Sequence, residues 1–324
     1  MERMGFLISH KNNERRRALL PQDLEQIRHV DRLVFETGYG LALGCSDADY
    51  LAAGAQVAPR EEVLRCPKLV DVKLGDADYL DRLEGQKLMI GWAHTVQKVD
   101  FTSAMLQGKH SVLAWEEIFE DGRYIFYRNR EVAGEAAVLH AFRYCGKMPY
   151  DCTVAIIGNG QTAKGAMRIL HGLGATVDVY GRKLEKLFRK NLPDYDVIVN
   201  CVMWDISRTD HLIYREDLKR MKPNAMIVDV SCDPYLGIET SHATTISDPV
   251  YDVDGVRHYS VDNTPAMFPF TITKVLSEGN ARIFDAVIEG TLTPALEAAM
   301  VIENGHIRSE SIRSFREARG LVCK

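Results

Sequence analysis

The sequence predicts an α/β protein of two domains, in which a doubly wound parallel sheet is inserted into a discontinuous second α/β domain. Its 324 residues are more than one small hydrophobic core usually organises. After Glu131, short β-rich runs alternate with helical patterns, an order that favours a parallel sheet with right-handed crossovers. A glycine-rich turn in this region follows a strand and opens a helix, which is typical of a nucleotide-binding sheet.

Apolar runs bounded by polar residues predict the elements of the N-terminal part. The predicted strands, in chain order, are GFLIS, RLVFETG, LVDVKL and KLMIGWAH. Between the first two, the segment PQDLEQIRHV predicts a helix that begins at Pro21, a residue favoured in a first helical turn. This part is therefore an α/β domain of its own.

The central part is more regular. Its predicted elements alternate in the order helix EVAGEAAVLHAFRYCG, strand TVAIIG, helix QTAKGAMRILHGLG, strand ATVDVY, helix KLEKLFRKN, strand YDVIVNCV, helix REDLKRM and strand AMIVDVS. The alternation stops near residue 263, and TKVLSEGNARIFDAVIEG predicts one amphipathic helix that does not extend this sheet. We therefore expect domains at 1–130 with 265–324 and at 131–264, with a ligand cleft between them.

Composition and charge exclude several classes of function. The net charge of −5 gives no field that would attract nucleic acid or an anionic membrane. Seven cysteines are scattered singly, which disfavours a disulfide framework and a structural zinc site, and the ten histidines show no metal-ligand spacing. The N-terminus lacks the apolar core of a signal peptide, and no run reaches membrane-spanning length. We expect a cytoplasmic protein without a metal.

The turn IIGNGQTAKGA carries Gly158, Gly160 and Ala163 in the G-x-G-x-x-A arrangement of a Rossmann dinucleotide-binding fold. The first glycine permits the tight turn, the second lets a pyrophosphate approach the backbone, and the alanine lets the helix pack on the strand. A glycine turn that binds nothing is the alternative. The expected cofactor contacts in and near this turn also include Asn159, Gln161, Thr162 and Cys201.

The end of the next strand indicates which cofactor is used. In ATVDVYGRK, Gly181 stands where an acid usually holds the ribose hydroxyls, and Arg182 and Lys183 follow it. A carboxylate would repel a 2′-phosphate, whereas two cations can bind it, so the segment favours NADPH. Asp178 is the rival acid, but it lies too early in the strand to reach a ribose. Two solvated basic residues at a helix start remain the alternative.

Three charged or polar residues of the N-terminal part stand out as candidate site residues. Lys73 interrupts LVDVKL, His94 ends MIGWAH, and Arg16 follows the first strand in NNERRRALLP. Each by itself has an ordinary structural explanation, as a solvated residue or a satisfied core residue. Three together at strand ends make a substrate site the better interpretation. Trp92 would project to the side of His94 if its strand continues, and it either shapes a substrate pocket or packs in the core.

These segments carry a resemblance to a known family. The order of ERRRALLP, the strand ending in Lys73, IGWAH, IIGNGQTAKGA, VDVSCD and VDNTP resembles the alanine dehydrogenase and saccharopine dehydrogenase superfamily, and within it the carboxyethylornithine synthases. The similarity spans nearly the whole chain. It implies an opine-type enzyme that joins pyruvate to the side-chain amine of ornithine by NADPH-dependent reductive condensation, and a homo-oligomer.

The resemblance also implies roles for single residues. Arg16 matches an arginine that grips the oxo-acid carboxylate, Lys73 an active-site lysine, and His94 an active-site histidine. Asp233 in VDVSCDPYLG matches an acid beside the nicotinamide, and Asn263 in DNTP matches a cofactor-contacting asparagine.

One departure is visible after Asp233. Alanine dehydrogenases usually carry a glycine pair there, whereas this chain has Pro234 and Tyr235, so its amine pocket differs from theirs. Other acids near Asp233 in the sequence are not excluded by spacing; they are Asp248, Asp252 and Asp262.

The chemistry of these side chains is consistent with the implied roles. A guanidinium binds a carboxylate through two hydrogen bonds, which suits Arg16 to anchoring an oxo acid. An unperturbed imidazole has a pKa close to physiological pH, which suits His94 to acid/base work, and Lys73 can polarise a carbonyl. Either side chain is a candidate proton donor for the dehydration step. Two other enzyme activities stay open: amino-acid dehydrogenation with ammonia, as in alanine or saccharopine dehydrogenases, and reduction of a preformed cyclic imine. A non-catalytic NADPH-binding sensor is the alternative of another class.

Overall fold

The structure, a computed structural model, describes residues 1–205, 208–232 and 235–323. The chain divides into two compact units: residues 1–126 with 269–324, called the split unit, and residues 127–268, called the inserted unit. Each unit contains a mainly parallel sheet with helices. This architecture confirms the predicted fold class.

The strands of the described residues carry the following numbers in chain order: β1 (Met4–Phe6), β2 (Leu33–Glu36), β3 (Gln56–Ala58), β4 (Lys68–Val70), β5 (Leu88–Gly91), β6 (Ser111–Ala114), β7 (Phe119–Glu120), β8 (Arg123–Tyr124), β9 (Thr153–Ile157), β10 (Thr176–Tyr180), β11 (Val197–Asn200), β12 (Met226–Asp229), β13 (Val250–Val253), β14 (Val256–Tyr259), β15 (Met300–Glu303) and β16 (His306–Ile307).

The α-helices are numbered in the same way: α1 (Asp47–Ala52), α2 (Arg60–Val63), α3 (Val99–Gln107), α4 (Tyr127–Cys145), α5 (Gln161–Gly172), α6 (Glu185–Asn191), α7 (Pro269–Ala281), α8 (Phe284–Glu289), α9 (Pro294–Ala298) and α10 (Glu310–Glu317). Short 3₁₀ helices occupy several connections.

The sheet of the split unit has the strand order β16-β15-β6-β5-β4-β1-β2-β3. Strands β1 to β6 are parallel, and β15 and β16 extend the sheet in antiparallel fashion beyond β6. Strand β4 therefore lies between β1 and β5, and the loops that leave these three strands emerge at one edge.

Aromatic residues form part of the core of the split unit. Phe6 of β1 stacks on Phe35 of β2 with 4.5 Å between ring centroids, and Phe284 of α8 meets Phe6 edge-on at 5.6 Å. All three rings are fully buried. The C-terminal part of the chain thus packs on the first two strands, which explains why it belongs to this unit.

The inserted unit has the strand order β10-β9-β11-β12-β14-β13. All neighbours are parallel except β13, which forms an antiparallel hairpin with β14 at the edge. Strands β11 and β12 are buried along their whole length, as the Val and Ile content of VIVN and MIVD predicts for the centre of a parallel sheet.

Two glycines bring α4 and α5 into close contact. A Cβ added to Gly134 would lie 2.0 Å from the carbonyl oxygen of Thr162, and one added to Gly165 would lie 1.9 Å from that of Glu131. Both positions therefore require glycine, because any side chain would force the helices apart. This contact fixes α5, the helix that follows the glycine-rich turn, against the rest of the unit.

Several elements differ from the sequence-based expectation. The helices predicted at PQDLEQIRHV and REDLKRM are six-residue 3₁₀ helices, at Pro21–Gln26 and Arg215–Arg220. The predicted tail helix is two helices, α7 and α8. The N–H of Ile283 donates to the carbonyl of Asn280, 3.1 Å away, and the turn lets Phe284 enter the core. No helix among the described residues is long and apolar enough to cross a membrane.

Candidate active site

The three charged or polar residues predicted for the substrate site follow neighbouring strands of the split unit. Lys73 comes three residues after β4, His94 three residues after β5, and Arg16 in the connection that follows β1. The carboxyl ends of these strands share one edge of the sheet. Backbone bonds continue past the strand ends: the N–H of Leu7 donates to Val70 at 2.9 Å, and the N–H of Gly75 donates to Trp92 at 3.0 Å.

Glycines allow the loops that carry Lys73 and His94 to lie against each other. A Cβ added to Gly75 would lie 2.2 Å from the carbonyl oxygen of Ala93. One added to Gly91 would lie 1.8 Å from the carbonyl oxygen of Asp71, and Gly91 has a φ of 153°, which L residues rarely adopt. The backbones of the two loops are therefore in direct contact at two points, Gly75 with Ala93 and Gly91 with Asp71.

Arg16 is held by an acid and an aromatic ring. Its side chain is 1% exposed, its Nε donates to Oε1 of Glu14 at 2.8 Å, and its Nη2 donates to Oε2 at 2.6 Å. The guanidinium carbon lies 4.8 Å from the ring centre of Trp92. Two of its five N–H donors thus go to Glu14, and the ring fixes the plane in which the guanidinium lies.

Trp92 was expected to project to the side of His94 only if its strand continued. Strand β5 ends at Gly91, so this condition is not met. Its ring is buried, its Nε1 donates to the hydroxyl of Tyr124 at 2.9 Å, and it meets Trp115 edge-on at 5.5 Å. Trp92 therefore packs in the core and also contacts Arg16.

The backbone of Lys73 is hydrogen-bonded to the buried acid Asp71. The lysine is 7% exposed, and its backbone N–H donates to Oδ1 of Asp71 at 2.9 Å, while the hydroxyl of Tyr79 donates to Oδ2 at 3.1 Å. Burial raises the pKa of Asp71 to about 6, against the lowering effect of these bonds. The Asp71 carboxyl thus has a pKa well above that of an exposed aspartate, and it holds the turn that carries Lys73.

The surroundings of Lys73 are rich in cations. Asp76 binds Lys11 at 3.4 Å and also pairs with Lys98. Burial alone would raise the pKa of Asp76, but these lysines and Lys73 lower it. An anionic substrate is favoured at such a position.

The backbone at His94 is held by Glu116. Oε1 of this carboxylate accepts from the N–H of His94 at 2.5 Å, and Oε2 accepts from the N–H of Ala93 at 3.2 Å. Burial raises the pKa of Glu116, and the two N–H bonds lower it. His94 has a φ of 46°, a left-handed conformation that a non-glycine residue adopts at a cost, so Glu116 stabilises a strained turn.

Neither Glu14 nor Glu116 was predicted from the sequence. Glu14 stands two residues before Arg16, and this proximity is the one signal in the sequence for their pairing. Nothing in the run AWEEIF separates Glu116 from its neighbour Glu117. The structure brings both acids to the edge where the three predicted residues lie.

The glycine-rich turn of the inserted unit has the geometry of a phosphate cradle. Gly158 follows β9 with a φ of 111°, and its N–H donates to the carbonyl of Tyr180 at 2.8 Å. A Cβ at Gly158 would lie 3.2 Å from the carbonyl oxygen of Cys201. A Cβ at Gly160, just before α5, would meet nothing within 4 Å, so this backbone is open to a ligand.

A cavity of about 540 Å³ lies beside this turn. Its lining includes Asn159 of the turn and three consecutive residues of the next strand end, Gly181, Arg182 and Lys183. The two cations are exposed, and a Cβ added to Gly181 would meet nothing within 4 Å. The cavity thus has room and positive charge at the position where the sequence lacks an acid.

Asp178 faces away from this cavity. Val179 lines it, and side chains alternate along β10, so Asp178 and Tyr180 lie on the opposite face. There the hydroxyl of Tyr195 donates to Asp178 at 2.8 Å. This geometry removes Asp178 as a ribose-binding acid and agrees with the argument made from strand register.

The remaining predicted cofactor residues are spread along the carboxyl edge. Gln161 and Thr162 are partly exposed in the first turn of α5, Cys201 follows β11, and burial raises the pKa of its thiol. Asn263 has a φ of 65° and precedes the 3₁₀ helix Thr264–Met267. Asp233 lies outside the described residues.

A buried acid of the inserted unit was also missed from the sequence. Asp229 ends β12, and its carboxylate accepts from the amide of Asn200 at 2.9 Å, from the hydroxyl of Ser241, and from the N–H groups of Ser231 and Cys232. Burial raises the pKa of Asp229, and these bonds lower it. The carboxyl therefore ties together the segments that follow β11 and β12.

One of the other acids near Asp233 in the sequence, Asp252, has an ion-pair partner of its own. Asp252 on the edge strand β13 pairs with Arg257 at 3.0 Å, and this pairing lowers its pKa. Among residues 1–205, 208–232 and 235–323, no cluster of three or more His, Cys, Asp or Glu is arranged to hold a metal ion.

The inserted unit therefore fits a nicotinamide dinucleotide. Its strand, glycine turn and helix match the Rossmann arrangement, the backbone at Gly160 is open, and Arg182 and Lys183 line the neighbouring cavity. No other class of cofactor is indicated by these residues.

Comparison with protein families gives the same assignment. The alanine dehydrogenase/PNT N-terminal domain family matches residues 9–125, and the corresponding C-terminal domain family matches residues 182–310. The NAD binding domain of the D-isomer specific 2-hydroxyacid dehydrogenases matches residues 118–235.

Individual relatives are similar along most of their length. N(5)-(carboxyethyl)ornithine synthase of Clostridium botulinum is 31% identical, with 85% of this chain and 92% of the relative covered. The enzyme of that name from Lactococcus lactis is 30% identical over 85% of this chain and 94% of the relative. Alanine dehydrogenase of Methanococcus maripaludis is 27% identical over 93% of both chains.

Solved structures support the fold. An L-alanine dehydrogenase superposes with a TM-score of 0.85 at 21% identity, covering 98% of this chain and 99% of the other. A transhydrogenase from Sinorhizobium meliloti gives a TM-score of 0.77 at 18% identity, covering 95% and 99%. These likenesses show the fold. The sequence matches show that the chain belongs to the alanine dehydrogenase superfamily of nicotinamide-dependent oxidoreductases, as a relative of the carboxyethylornithine synthases.

Proposed function

We propose that the protein is an NADPH-dependent synthase that joins a 2-oxo acid, pyruvate or a close relative, to the side-chain amine of an amino acid, ornithine or lysine. The observation that carries this proposal is the 31% identity with a carboxyethylornithine synthase over 85% of the chain. The positions of Arg16, Lys73 and His94 at one edge of the split-unit sheet support it.

The proposed reaction has two balanced steps. The amine adds to the keto carbon of the oxo acid, and loss of one water leaves an imine. When bound, NADPH supplies the hydride that reduces the carbon of the C=N bond. A proton from solvent completes the secondary amine, and NADP⁺ is released.

Arg16 is the proposed anchor for the oxo-acid carboxylate. Its guanidinium is buried, oriented by Glu14 and stacked on Trp92, so it is held in one plane before the substrate arrives. A fixed planar guanidinium recognises a carboxylate better than a mobile one, because less side-chain entropy is lost on binding.

Lys73 and His94 are the proposed groups for carbonyl polarisation and proton transfer. The backbone of Lys73 is bound to Asp71 and that of His94 to Glu116, so both turns are fixed by buried or partly buried carboxylates. Either side chain can protonate the hydroxyl that leaves as water. Asp233 is retained in the proposal as the acid that offsets the positive charge of the iminium.

NADPH is the proposed cofactor because of the cavity beside the glycine turn. Arg182 and Lys183 line it, Gly181 leaves space, and Asp178 lies on the other face of the strand. Among the described residues that line the cavity, a 2′-phosphate would find two cations and no carboxylate. A homo-oligomeric, cytoplasmic enzyme completes the proposal.

A second candidate is an amino-acid dehydrogenase that uses ammonia. It is favoured by the 27% identity with an alanine dehydrogenase over 93% of the chain. The two candidates differ only in the amine, so the same assay separates them.

The test follows NADPH absorbance with pyruvate and, in turn, ornithine, lysine, alanine and ammonia, and repeats the active pair with NADH. We expect oxidation with ornithine or lysine, and slower oxidation of NADH. Oxidation with ammonia alone would establish the dehydrogenase instead. No oxidation under any condition, together with tight NADPH binding in a fluorescence titration, would identify a sensor.

A further inference from the structure

Tyr235 has a backbone conformation that is unusual for its size. Its φ is 58°, in the left-handed region that glycine adopts without cost and that bulky residues avoid. Among the described residues, most other non-glycine positions of positive φ are occupied by Asn or Asp, namely Asn13, Asp121, Asn224, Asp254, Asn263 and Asn304. The other exceptions are His94, proposed above as an active-site residue, Lys109 and Cys232. Strain of this kind concentrates at functional sites.

The surrounding network imposes this conformation. The N–H of Tyr235 donates to the carbonyl of Ser241 at 3.0 Å. The hydroxyl of Ser241 in turn donates to the buried carboxylate of Asp229, which also binds the amide of Asn200 at 2.9 Å. The backbone of Tyr235 is thus tied to the ends of β11 and β12, two central strands of the sheet.

The side chain of Tyr235 does little for the fold. It is 63% exposed, so a glycine at this position would lose little packing and would relieve the strain. The segment lies at the carboxyl edge of β12, the side on which open α/β sheets bind their ligands.

The segment after β11 contributes a second exposed apolar side chain. Met203 is 81% exposed. The hydroxyl of Ser231 donates to the carbonyl of Val202 at 2.5 Å, and a Cβ added to Gly237 would lie 3.4 Å from the ring of Trp204. The segments that carry Met203 and Tyr235 are therefore in contact at two points, between Val202 and Ser231 and between Trp204 and Gly237.

We propose that Tyr235 determines amine specificity, selecting an amine that carries a methylene chain over ammonia. This inference rests on the proposed function. The ring offers an apolar face to a chain of several methylene groups, whereas ammonia presents no apolar surface to it. Glycine at this position would offer no apolar face to either amine.

The test replaces the ring without disturbing the backbone. In Tyr235→Gly, with pyruvate and NADPH held constant, we expect the ratio of kcat/KM for ornithine to kcat/KM for ammonia to fall about tenfold or more. The fall should come from a higher KM for ornithine, with the ammonia value unchanged. The same variant should unfold at an equal or higher temperature, because glycine accepts the left-handed conformation.

Two further variants serve as controls. Tyr150 is equally exposed, at 62%, but lies before β9 at the opposite edge of the sheet, so Tyr150→Ala should leave the ratio unchanged. Tyr235→Phe keeps the ring face and should keep the ratio. A large loss of ornithine preference in Tyr235→Phe would contradict an apolar contact.

The outcomes separate this inference from the proposed function. If the wild-type protein prefers ornithine and Tyr235→Gly keeps that preference, the role of Tyr235 is refuted and the synthase activity stands. If the wild-type protein shows no preference for a chain-bearing amine, the proposed function falls, and the role of Tyr235 falls with it. A Tyr235→Gly protein that is clearly less stable would refute the strain argument.

Discussion

The carboxyl edges of the two sheets differ in how they hold charge. At the edge of the split-unit sheet, Arg16 and Lys73 are almost fully buried, and acids hold their side chain or their backbone. At the edge of the inserted-unit sheet, Arg182 and Lys183 are exposed beside a bare glycine backbone. The split-unit edge thus has buried charged side chains, whereas the inserted-unit edge has an accessible glycine backbone and solvent-exposed cations.

The difference follows from what each edge is proposed to do. Polarising a carbonyl needs strong fields, and a charge acts more strongly where water is excluded. Binding a phosphate needs backbone N–H groups and cations, and it must be reversible in every catalytic cycle. Substitutions at the first edge should therefore have large effects on catalysis and stability, and those at the second edge smaller effects that depend on salt.

The largest effect is expected at Arg16. In Arg16→Lys the charge remains but the planar pair of donors is lost, so the oxo acid should bind poorly. We expect kcat/KM for pyruvate to fall roughly a thousandfold, which corresponds to about 4 kcal/mol. NADPH binding, measured by fluorescence titration, should stay within about twofold.

Stability is the control for this substitution. Arg16→Ala would remove the guanidinium that pairs with the buried Glu14, which costs about 3–5 kcal/mol and can unfold the chain, so the lysine variant is the informative one. If Arg16→Lys weakens NADPH and pyruvate equally, Arg16 does not anchor the oxo acid.

The next effect is the pH dependence of stability caused by Asp71. Its pKa is raised to about 6 in the folded protein and is near 3.8 when exposed, so the folded state holds the proton more tightly. Folding is therefore favoured by this group below about pH 4, and that contribution is lost as the pH rises through 6. The change amounts to about 3 kcal/mol at most.

Asp71→Asn should remove this dependence. In urea unfolding between pH 4 and pH 7, the difference in unfolding free energy between wild type and variant should shift in favour of the variant as the pH rises. Asp196 of the inserted unit is the matched comparison, because Lys147, Lys222 and the N–H of Thr153 outweigh its burial and lower its pKa to about 2. Asp196→Asn should destabilise at pH 7, and a flat difference for Asp71→Asn would show that its carboxyl does not titrate in this range.

The two edges also differ in how much the sequence predicts. The Rossmann turn and the cations after β10 are local in sequence, because the turn, the helix start and the strand end follow one another along the chain. The position of Asp178 within its strand already argued against it as a ribose-binding acid, and in the structure its side chain binds Tyr195 on the face away from the cavity. Local patterns suffice to predict such a turn and strand end, because their residues are close in sequence.

The partners at the split-unit edge were not predictable in this way. Lys73 and His94 could be found as polar residues near strand ends, but Asp71 reads as one polar residue of the strand LVDVKL. Its burial depends on Gly91 lying against its carbonyl, a contact between different strands that one sequence does not display. The strained conformation of Tyr235 was likewise invisible, since it depends on Ser241 and Asp229.

The smallest effect is expected at the exposed cations, where it also tests the choice of cofactor. Arg182→Ala with Lys183→Ala should raise the KM for NADPH about 10- to 30-fold, since each exposed charge-assisted bond is worth about 1 kcal/mol, and should leave NADH nearly unchanged. High salt should shrink the difference, because both side chains are exposed. Lys186 and Lys190 of α6 are exposed cations that do not line the cavity, so replacing them by Ala is the matched control. Equal losses for NADPH and NADH would place Arg182 and Lys183 away from the 2′-phosphate, and would leave the open edge without its proposed discriminating charge.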